Sequence, residues 1–207
     1  AMELAGLKSS DAEILNMRPP DIAAAWQRGD IDATFVWDPA LALVKKTGKV
    51  LVTSGDLSKK GKATFDGVIV NKKWALEHKD FMVALVKELA KGDALYRANG
   101  KSWTSSSREV ASIAKISGAK PEDVLGAIAL YHFPTLQEQA SPAWLGGGAN
   151  SGAAKALLET SKFLKEQGRI QNVRSEYHSS VNPAYVNASA TLALTCGTLS
   201  ASIFAAL

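Results

Sequence analysis

Hydrophobic and polar residues follow two different patterns along the chain, and the change between them predicts the architecture. Up to about residue 71, short apolar runs that suit strands alternate with short stretches of helical spacing. Beyond that point, apolar residues mostly recur every three or four positions, which is typical of amphipathic helices. Because alternating strands and helices form parallel sheets with covering helices, we predict an α/β fold with one parallel-sheet lobe and a helix-rich partial second lobe.

The individual elements follow from the same patterns. We predict helices over residues 20–28, 39–47, 72–78, 80–98, 105–117 and 153–167, and a further helix that begins near residue 121. We predict strands over residues 12–17, 31–36, 50–52, 65–71 and 191–194. A polar, lysine-rich loop is expected over residues 56–62, and a flexible connector is expected at Gly146–Gly148.

The stretch Met17–Leu41 carries the strongest single pattern. Pro19 and Pro20 suit the first turn of a helix, because the fixed φ of proline fits there and its missing N–H is not needed. Trp37 and Asp38 fall where the next predicted strand ends, and open α/β sheets bind ligands at the carboxyl ends of their strands. An aromatic ring and a carboxylate in that place indicate a small, partly cationic ligand.

Length and charge exclude some classes of partner. The 207 residues are 46% hydrophobic, which is enough for one sizeable core or two small lobes. The net charge is +4 and the pI is about 9.1, but the lysines are scattered and no dense basic stripe carries interleaved aromatic residues. We therefore expect a solvated basic surface and no nucleic-acid partner.

Reactive residues do not form a recognisable catalytic or metal site. The single Cys196 excludes an internal disulfide, and no base stands beside it in the sequence. The three histidines are not at a metal-ligand spacing, and neither a Walker loop nor GxGxxG is present. We expect no catalytic residue, no metal and no cofactor. An enzyme that uses the Cys196 thiolate near a helix start is the alternative.

The apolar stretch Ala188–Leu207 has about the length of a membrane span. It is interrupted by hydroxyl-bearing residues and glycine, and no Lys or Arg flanks it. A strand, a small-residue turn and a helix start explain it better, so we predict no membrane span. No positively charged leader opens the chain, so we predict no signal peptide here.

Four motifs, in this order and spacing, resemble a known family. They are LNMRPPDIAAAWQRGDIDATFVWDPA, TFDGVIVNKKWALEH, YHFPTLQEQ and FLKEQGRI. The chain from Ala1 to about Val186 resembles the substrate-binding proteins of sulfonate import systems, and is most similar to the taurine-binding branch. The resemblance implies a periplasmic-binding-protein type II-like fold, in which two α/β lobes joined by a hinge close over a ligand.

The resemblance also implies the biological setting. It predicts a periplasmic, non-enzymatic solute-binding component of an ABC import system, with a small sulfonate as ligand and a membrane permease as partner. The predicted lobes are residues 1–64 with 188–207, which would bind the ligand, and residues 65–187, which supply a crossing strand and helices. A structural fragment or dimerising domain that has lost ligand binding is the alternative, and it predicts a homodimer.

The two ends of the chain depart from the family pattern. The first strands of the family's first lobe have no counterpart here. When the end of the chain is placed before its start, LALTCGTLSASIFAAL joined to AMELAGLKSSDAEI resembles the family's strand, Ser/Thr-rich loop and helix. We therefore expect a circularly permuted, shortened form, in which residue 207 lies near residue 1. The alternative is that Ala188–Leu207 is an unrelated tail.

The family's anion-binding loop matches the small residues after Cys196. The resemblance implies that a sulfonate would bind there, at a helix start whose backbone N–H groups suit an anion. A Ser/Thr-capped helix without a ligand is the alternative. The ligand-binding residues implied in this loop are Gly197, Thr198, Leu199, Ser200 and Ser202.

Four further residues complete the predicted ligand site. Trp37 would cover the methylenes or the ammonium of the ligand, unless it is a buried core residue. Asp38 would pair with the ammonium, although capping of the next helix is the favoured interpretation. By resemblance Asp66 is the better candidate for the amine, with a turn-stabilising aspartate as the alternative. Phe133 stands where the taurine branch tends to carry a tyrosine, which leaves the identity of the ligand open.

Overall fold

Helices supply the regular structure of the chain. The computed structural model describes residues 1–191. Its α-helices are α1 (Pro19–Arg28), α2 (Ala40–Val44), α3 (Ser54–Ser58), α4 (Lys72–Glu77), α5 (Lys79–Asn99), α6 (Arg108–Ser117), α7 (Pro121–Ile128), α8 (Leu136–Ala140) and α9 (Gly152–Glu166). Single 3₁₀ turns lie at Glu3–Ala5, Ser9–Asp11, Gly100–Ser102, Gly148–Asn150 and His178–Ser180. A last helical segment covers residues 184–191.

The chain forms two compact units. Unit 1 comprises Ala1–Ala63 and Lys101–His132, and unit 2 comprises Thr64–Gly100 together with residues from Phe133 onward. The chain therefore passes from one unit to the other after residues 63, 100 and 132. The predicted lobes, 1–64 with 188–207 and 65–187, remain a prediction.

Several helices begin and end at the proline and glycine residues from which their bounds were predicted. Helix α1 begins at Pro19 and ends before Gly29, whose φ of 77° is left-handed and therefore suits glycine. Helix α6 ends before Gly118 in the same way. The other predicted helices are also present, although α2 is shorter than residues 39–47. None of the helices within residues 1–191 is both long and apolar enough to cross a membrane.

Two short helices correct the predicted loops. The region predicted as a polar loop over 56–62 begins inside α3, because Thr53 and Asp56 form a reciprocal capping box. Helix α8 was not predicted, although Thr135 and Glu138 form the same motif. The strand predicted over 191–194 is also wrong at its start, because Thr191 lies in the helical segment 184–191. Its remaining residues lie outside the described ones.

The segments predicted as strands make no backbone hydrogen bonds with one another among the described residues. No strand is assigned within residues 1–191, and Asp32 lies in a bend. The peptide groups of residues 13–17, 31–36, 49–52 and 63–70 neither donate nor accept a backbone hydrogen bond with another described residue. These segments carry exposed apolar side chains, which include Ile14, Phe35, Leu51 and Ile69. They have the composition of strands but no ladder among the described residues, so the parallel sheet remains a prediction.

Unit 1 is held by two helix pairs. In the first, the indole N–H of Trp26 in α1 donates to Thr47 Oγ1 at 2.9 Å, just beyond α2. The Trp26 ring also covers Gly48, where an added Cβ would lie 2.8 Å from the ring. In the second pair, Val110 of α6 and Val124 of α7 are buried together. Burial of apolar surface between neighbouring helices therefore stabilises this unit.

In unit 2 the segment 184–191 contacts the α4–α5 region. The Tyr185 hydroxyl donates to the carbonyl of Ala75 at 2.9 Å. The Ser189 hydroxyl, which is fully buried, lies within hydrogen-bond distance of the Val83 and Tyr185 carbonyls. The bonds to the Ala75 and Val83 carbonyls join residues 110 and 106 positions apart in the sequence, so they tie the end of the described chain to its middle.

The glycine-rich connector is a closely packed turn. The Gly152 N–H donates to the Pro142 carbonyl at 2.8 Å, and the Gly146 N–H donates to the Ser141 carbonyl at 2.9 Å. A Cβ at Gly152 would lie 2.0 Å from the Ala143 carbonyl oxygen. The expectation of a flexible connector at Gly146–Gly148 is therefore wrong, because close backbone contacts require glycine on both sides of the turn.

We predict that Gly152→Ala lowers the free energy of unfolding by about 1–3 kcal/mol, because the added methyl group would push the Ala143 carbonyl away. Gly126→Ala is the matched control. Position 126 lies inside α7 with nothing within 4 Å of the added Cβ, so alanine should stabilise by about 0.5–1 kcal/mol. Urea denaturation followed by circular dichroism measures both. Equal effects of the two substitutions would contradict the packed turn.

Candidate functional site

Trp37 and Asp38 form a corner between an extended segment and α2 in unit 1. The Trp37 carbonyl accepts the N–H of Leu41, which places the indole at the start of the helix. The Trp37 side chain is 58% exposed, so it is not the buried core residue of the alternative interpretation. An exposed indole at the end of an extended segment can stack on a small ligand.

The carboxylate of Asp38 supports α2 directly. Its Oδ1 accepts the backbone N–H of Ala42 at 3.1 Å, which is one of the N–H groups that the first turn of a helix leaves without an intrahelical partner. Partial burial raises the pKa of Asp38, and this hydrogen bond together with the charge of Lys45 offsets part of the rise. The structure therefore shows the helix-supporting role that the sequence favours for Asp38.

Asp66 lies in unit 2, three residues after the chain enters it. It is exposed, as are its neighbours Phe65 and Gly67. The segment of residues 63–70 on which it stands makes no backbone hydrogen bond with the described residues. A solvated carboxylate in such a segment can accept hydrogen bonds from a ligand ammonium.

The loop that carries Phe133 is held from several sides within unit 2. Arg97 Nη1, near the end of α5, donates to the Phe133 carbonyl at 2.9 Å. The rings of Tyr96 and Phe133 meet edge to face, with centroids 4.8 Å apart and an interplanar angle of 65°. Beyond Phe133, the Gln139 amide donates to the Pro134 carbonyl at 3.1 Å. The Phe133 ring is thus a half-buried apolar surface in a defined place.

Arg97 is a residue that sequence reasoning missed. The pattern of α5 places Tyr96 near its apolar face, but nothing in the sequence links Arg97 to a carbonyl 36 positions away. A second feature that was not predicted is an open depression of about 470 Å³ lined by residues 76–81. It includes none of the predicted site residues. Its His78 ring stacks on the Trp74 ring, with centroids 4.3 Å apart.

The predicted sulfonate loop, Gly197, Thr198, Leu199, Ser200 and Ser202, lies outside the described residues, as does Cys196. The predicted proximity of residue 207 to residue 1, and with it the permutation, therefore remains a prediction. Within residues 1–191, no three side chains of His, Cys, Asp or Glu are grouped closely enough to hold a metal ion.

Comparisons with known proteins find one matching family model and two similar binding proteins. Residues 1–114 match the model of the NMT1-like family. The chain is 36% identical over 181 residues to the taurine-binding periplasmic protein of Escherichia coli strain K12, a match that covers 87% of this chain and 55% of that protein. It is 28% identical over 137 residues to a putative aliphatic sulfonates-binding protein of the same organism, covering 65% of this chain and 40% of that protein.

These matches confirm the resemblance inferred from the four motifs. The chain spans about half the length of the curated relatives that it matches. The names of these two relatives describe binding proteins.

We predict opposite effects for two substitutions at Asp38. Asp38→Ala removes the acceptor for the Ala42 N–H and should lower the free energy of unfolding by about 1 kcal/mol. Asp38→Asn keeps an oxygen acceptor and removes a partly buried charge, so at pH 7 it should match or exceed the parent in stability.

The pH dependence gives the same prediction a second test. A carboxyl whose pKa is raised in the folded state loses stabilising effect as the pH rises through the range just above its ordinary pKa. The advantage of Asp38→Asn should therefore be largest near neutral pH and shrink in acid. Urea denaturation across this range measures it, with the exposed Asp32→Asn as control. A constant difference at all pH values would contradict the assignment.

Proposed function

The chain belongs to the NMT1-like family, and from that premise we propose that it is the solute-binding component of an ABC import system for small sulfonates. The observation that carries the proposal is the 36% identity to a taurine-binding periplasmic protein over 87% of this chain. Similarity of that extent spans residues from both units. It supports a binding role in the periplasm that precedes transfer of the solute to a membrane permease.

Within this class, an aminosulfonate such as taurine is the proposed ligand. Its two ends differ in charge, so the site must offer groups that suit an anion and a cation. Asp66 suits the ammonium, because it is an exposed carboxylate. The small residues of 197–202 suit the sulfonate, whose three oxygens accept hydrogen bonds from backbone N–H groups and hydroxyls.

Aromatic side chains would cover the two methylenes between those ends. The indole of Trp37 is more than half exposed and offers a face for the methylenes or the ammonium. Phe133 offers an apolar edge without a hydroxyl, so it makes no hydrogen bond of its own to a ligand. Asp38 would mainly help to hold Trp37 in place, because its Oδ1 already accepts the Ala42 N–H of α2.

The proposed role needs no chemistry on the ligand, so we assign no catalytic residue. The names of both curated relatives, which describe binding, support this part of the proposal. The alternative is a dimerising domain that has lost ligand binding. The experiment below separates the two, because only the solute-binding role predicts saturable binding.

We predict that the protein binds taurine in an isothermal titration and that Asp66→Asn weakens this binding about tenfold, which corresponds to about 1.4 kcal/mol. The matched ligand is ethanesulfonate, which has the sulfonate and the two carbons but no amine. Its binding should be the same for the parent and for Asp66→Asn, because Asp66 is proposed to contact only the amine.

Asp32→Asn serves as the control for a general charge effect, since Asp32 is another exposed carboxylate near an extended segment. It should leave both ligands unaffected. Saturable binding of neither sulfonate by the parent protein would contradict the proposed function. Equal weakening of both ligands by Asp66→Asn would contradict the assignment of Asp66 to the amine.

A further inference from the structure

The most specific long-range contact near a predicted ligand residue is the one that α5 makes with Phe133. Two adjacent residues of α5 hold this phenylalanine in different ways. Arg97 Nη1 donates to its carbonyl at 2.9 Å, and the Tyr96 ring packs edge to face on its ring. The backbone of Phe133 is therefore positioned by one residue, and its ring is positioned by the other.

The guanidinium of Arg97 holds the Phe133 carbonyl more strongly than a neutral donor would. It is charged at all physiological pH values, and a hydrogen bond from a charged donor is stronger than one between neutral groups. Its planar fork also restricts the direction from which a carbonyl is approached. Arg97 is exposed, so the bond contributes direction to the loop more than it contributes stability to the fold.

Arg97 lies in a long helix, α5, and has a carboxylate one turn before it. The helix runs over 21 residues, and Asp93 stands one turn before Arg97. Partial burial raises the pKa of Asp93, and the positive charge of Arg97 offsets part of that rise. The attraction between a carboxylate and a guanidinium four residues later restrains the guanidinium along the helix.

We propose that Arg97 is a positioning residue for the ligand site: it fixes the Phe133 backbone against α5, where the Tyr96 ring meets the Phe133 ring, and it thereby selects short-chain sulfonates over bulkier ones. The inference rests on the proposed function. When both the backbone and the ring of Phe133 are held, the ring limits the length of alkyl chain that the ligand site accepts. A ring that can move would admit a longer alkyl chain. The two most direct variants are Arg97→Ala, which removes the donor, and Arg97→Lys, which keeps a charged donor.

The first experiment needs no ligand. The protein is prepared with 4-fluorophenylalanine at its six phenylalanine positions, and the Phe133 signal is assigned by its loss in Phe133→Leu. We expect Arg97→Ala to shift or narrow the ¹⁹F signal of Phe133, while the other signals stay in place. Arg97→Lys should restore most of the parent spectrum. An unmoved Phe133 signal in Arg97→Ala would overturn the proposal.

The second experiment measures binding of taurine and of pentanesulfonate by calorimetry. We expect Arg97→Ala to weaken taurine binding about five- to tenfold and to lower the ratio of taurine affinity to pentanesulfonate affinity. Arg97→Lys should fall between Arg97→Ala and the parent. The control is Lys91→Ala on the same helix, which removes a cation that pairs with Glu88 at 2.6 Å and should change neither the spectrum nor the affinities.

The outcomes separate this inference from the proposed function. Loss of affinity with an unmoved Phe133 signal would mean that Arg97 contacts the sulfonate itself, and it would overturn the positioning role. A moved signal with unchanged affinities and an unchanged ratio would overturn it as well. Absence of sulfonate binding by the parent protein would overturn the proposed function, and the selecting role of Arg97 would fall with it.

Discussion

The pairing of backbone hydrogen-bonding groups is the constraint on which the described structure depends. Helices satisfy it internally, and their ends are completed by local devices such as the Thr53–Asp56 and Thr135–Glu138 boxes. The segments predicted as strands have no such internal pairing. Those around Phe35 and Ile69 make no backbone hydrogen bond with the described residues and expose large apolar side chains. A sheet would pair these peptide groups and bury these side chains, and that sheet remains a prediction.

This constraint bears directly on the candidate site. Asp66 stands on a segment of unit 2 that makes no backbone hydrogen bond with the described residues, and Trp37 follows such a segment in unit 1. Phe133 differs, because α5 and the α8 cap hold its loop within a single unit. The phenylalanine is therefore the predicted site residue whose position is best determined by described contacts, and this makes its anchor, Arg97, a residue of interest for specificity.

Family membership and local physics explain different parts of the protein. The match to binding proteins for taurine and other sulfonates supports a class of ligand, although the chain spans about half of those relatives. In the proposed site, the exposed carboxylate of Asp66 suits an amine, and the aromatic faces of Trp37 and Phe133 suit an alkyl chain. The position of Asp38 beside Trp37 indicates a ligand-binding carboxylate, but its hydrogen bond from the Ala42 N–H gives it a structural role in α2 instead.

The sequence by itself determined the family and the longer helices, although α3 and α8 were missed. Helix ends at Pro19, Gly29 and Gly118 depend on the backbone preferences of single residues, and such preferences are local. The strands predicted from the alternation of side chains remain a prediction, because a strand needs a partner that local sequence does not supply.

Only the tertiary structure decided which distant groups meet. The bond of Arg97 to the Phe133 carbonyl, the bond of Tyr185 to the Ala75 carbonyl and the tight backbone contact at Gly152 join residues whose spacing carries no signal. Such contacts exist because the packing of helices brings particular surfaces together. Many sequences with the same local pattern would pack differently and bring other pairs of residues into contact.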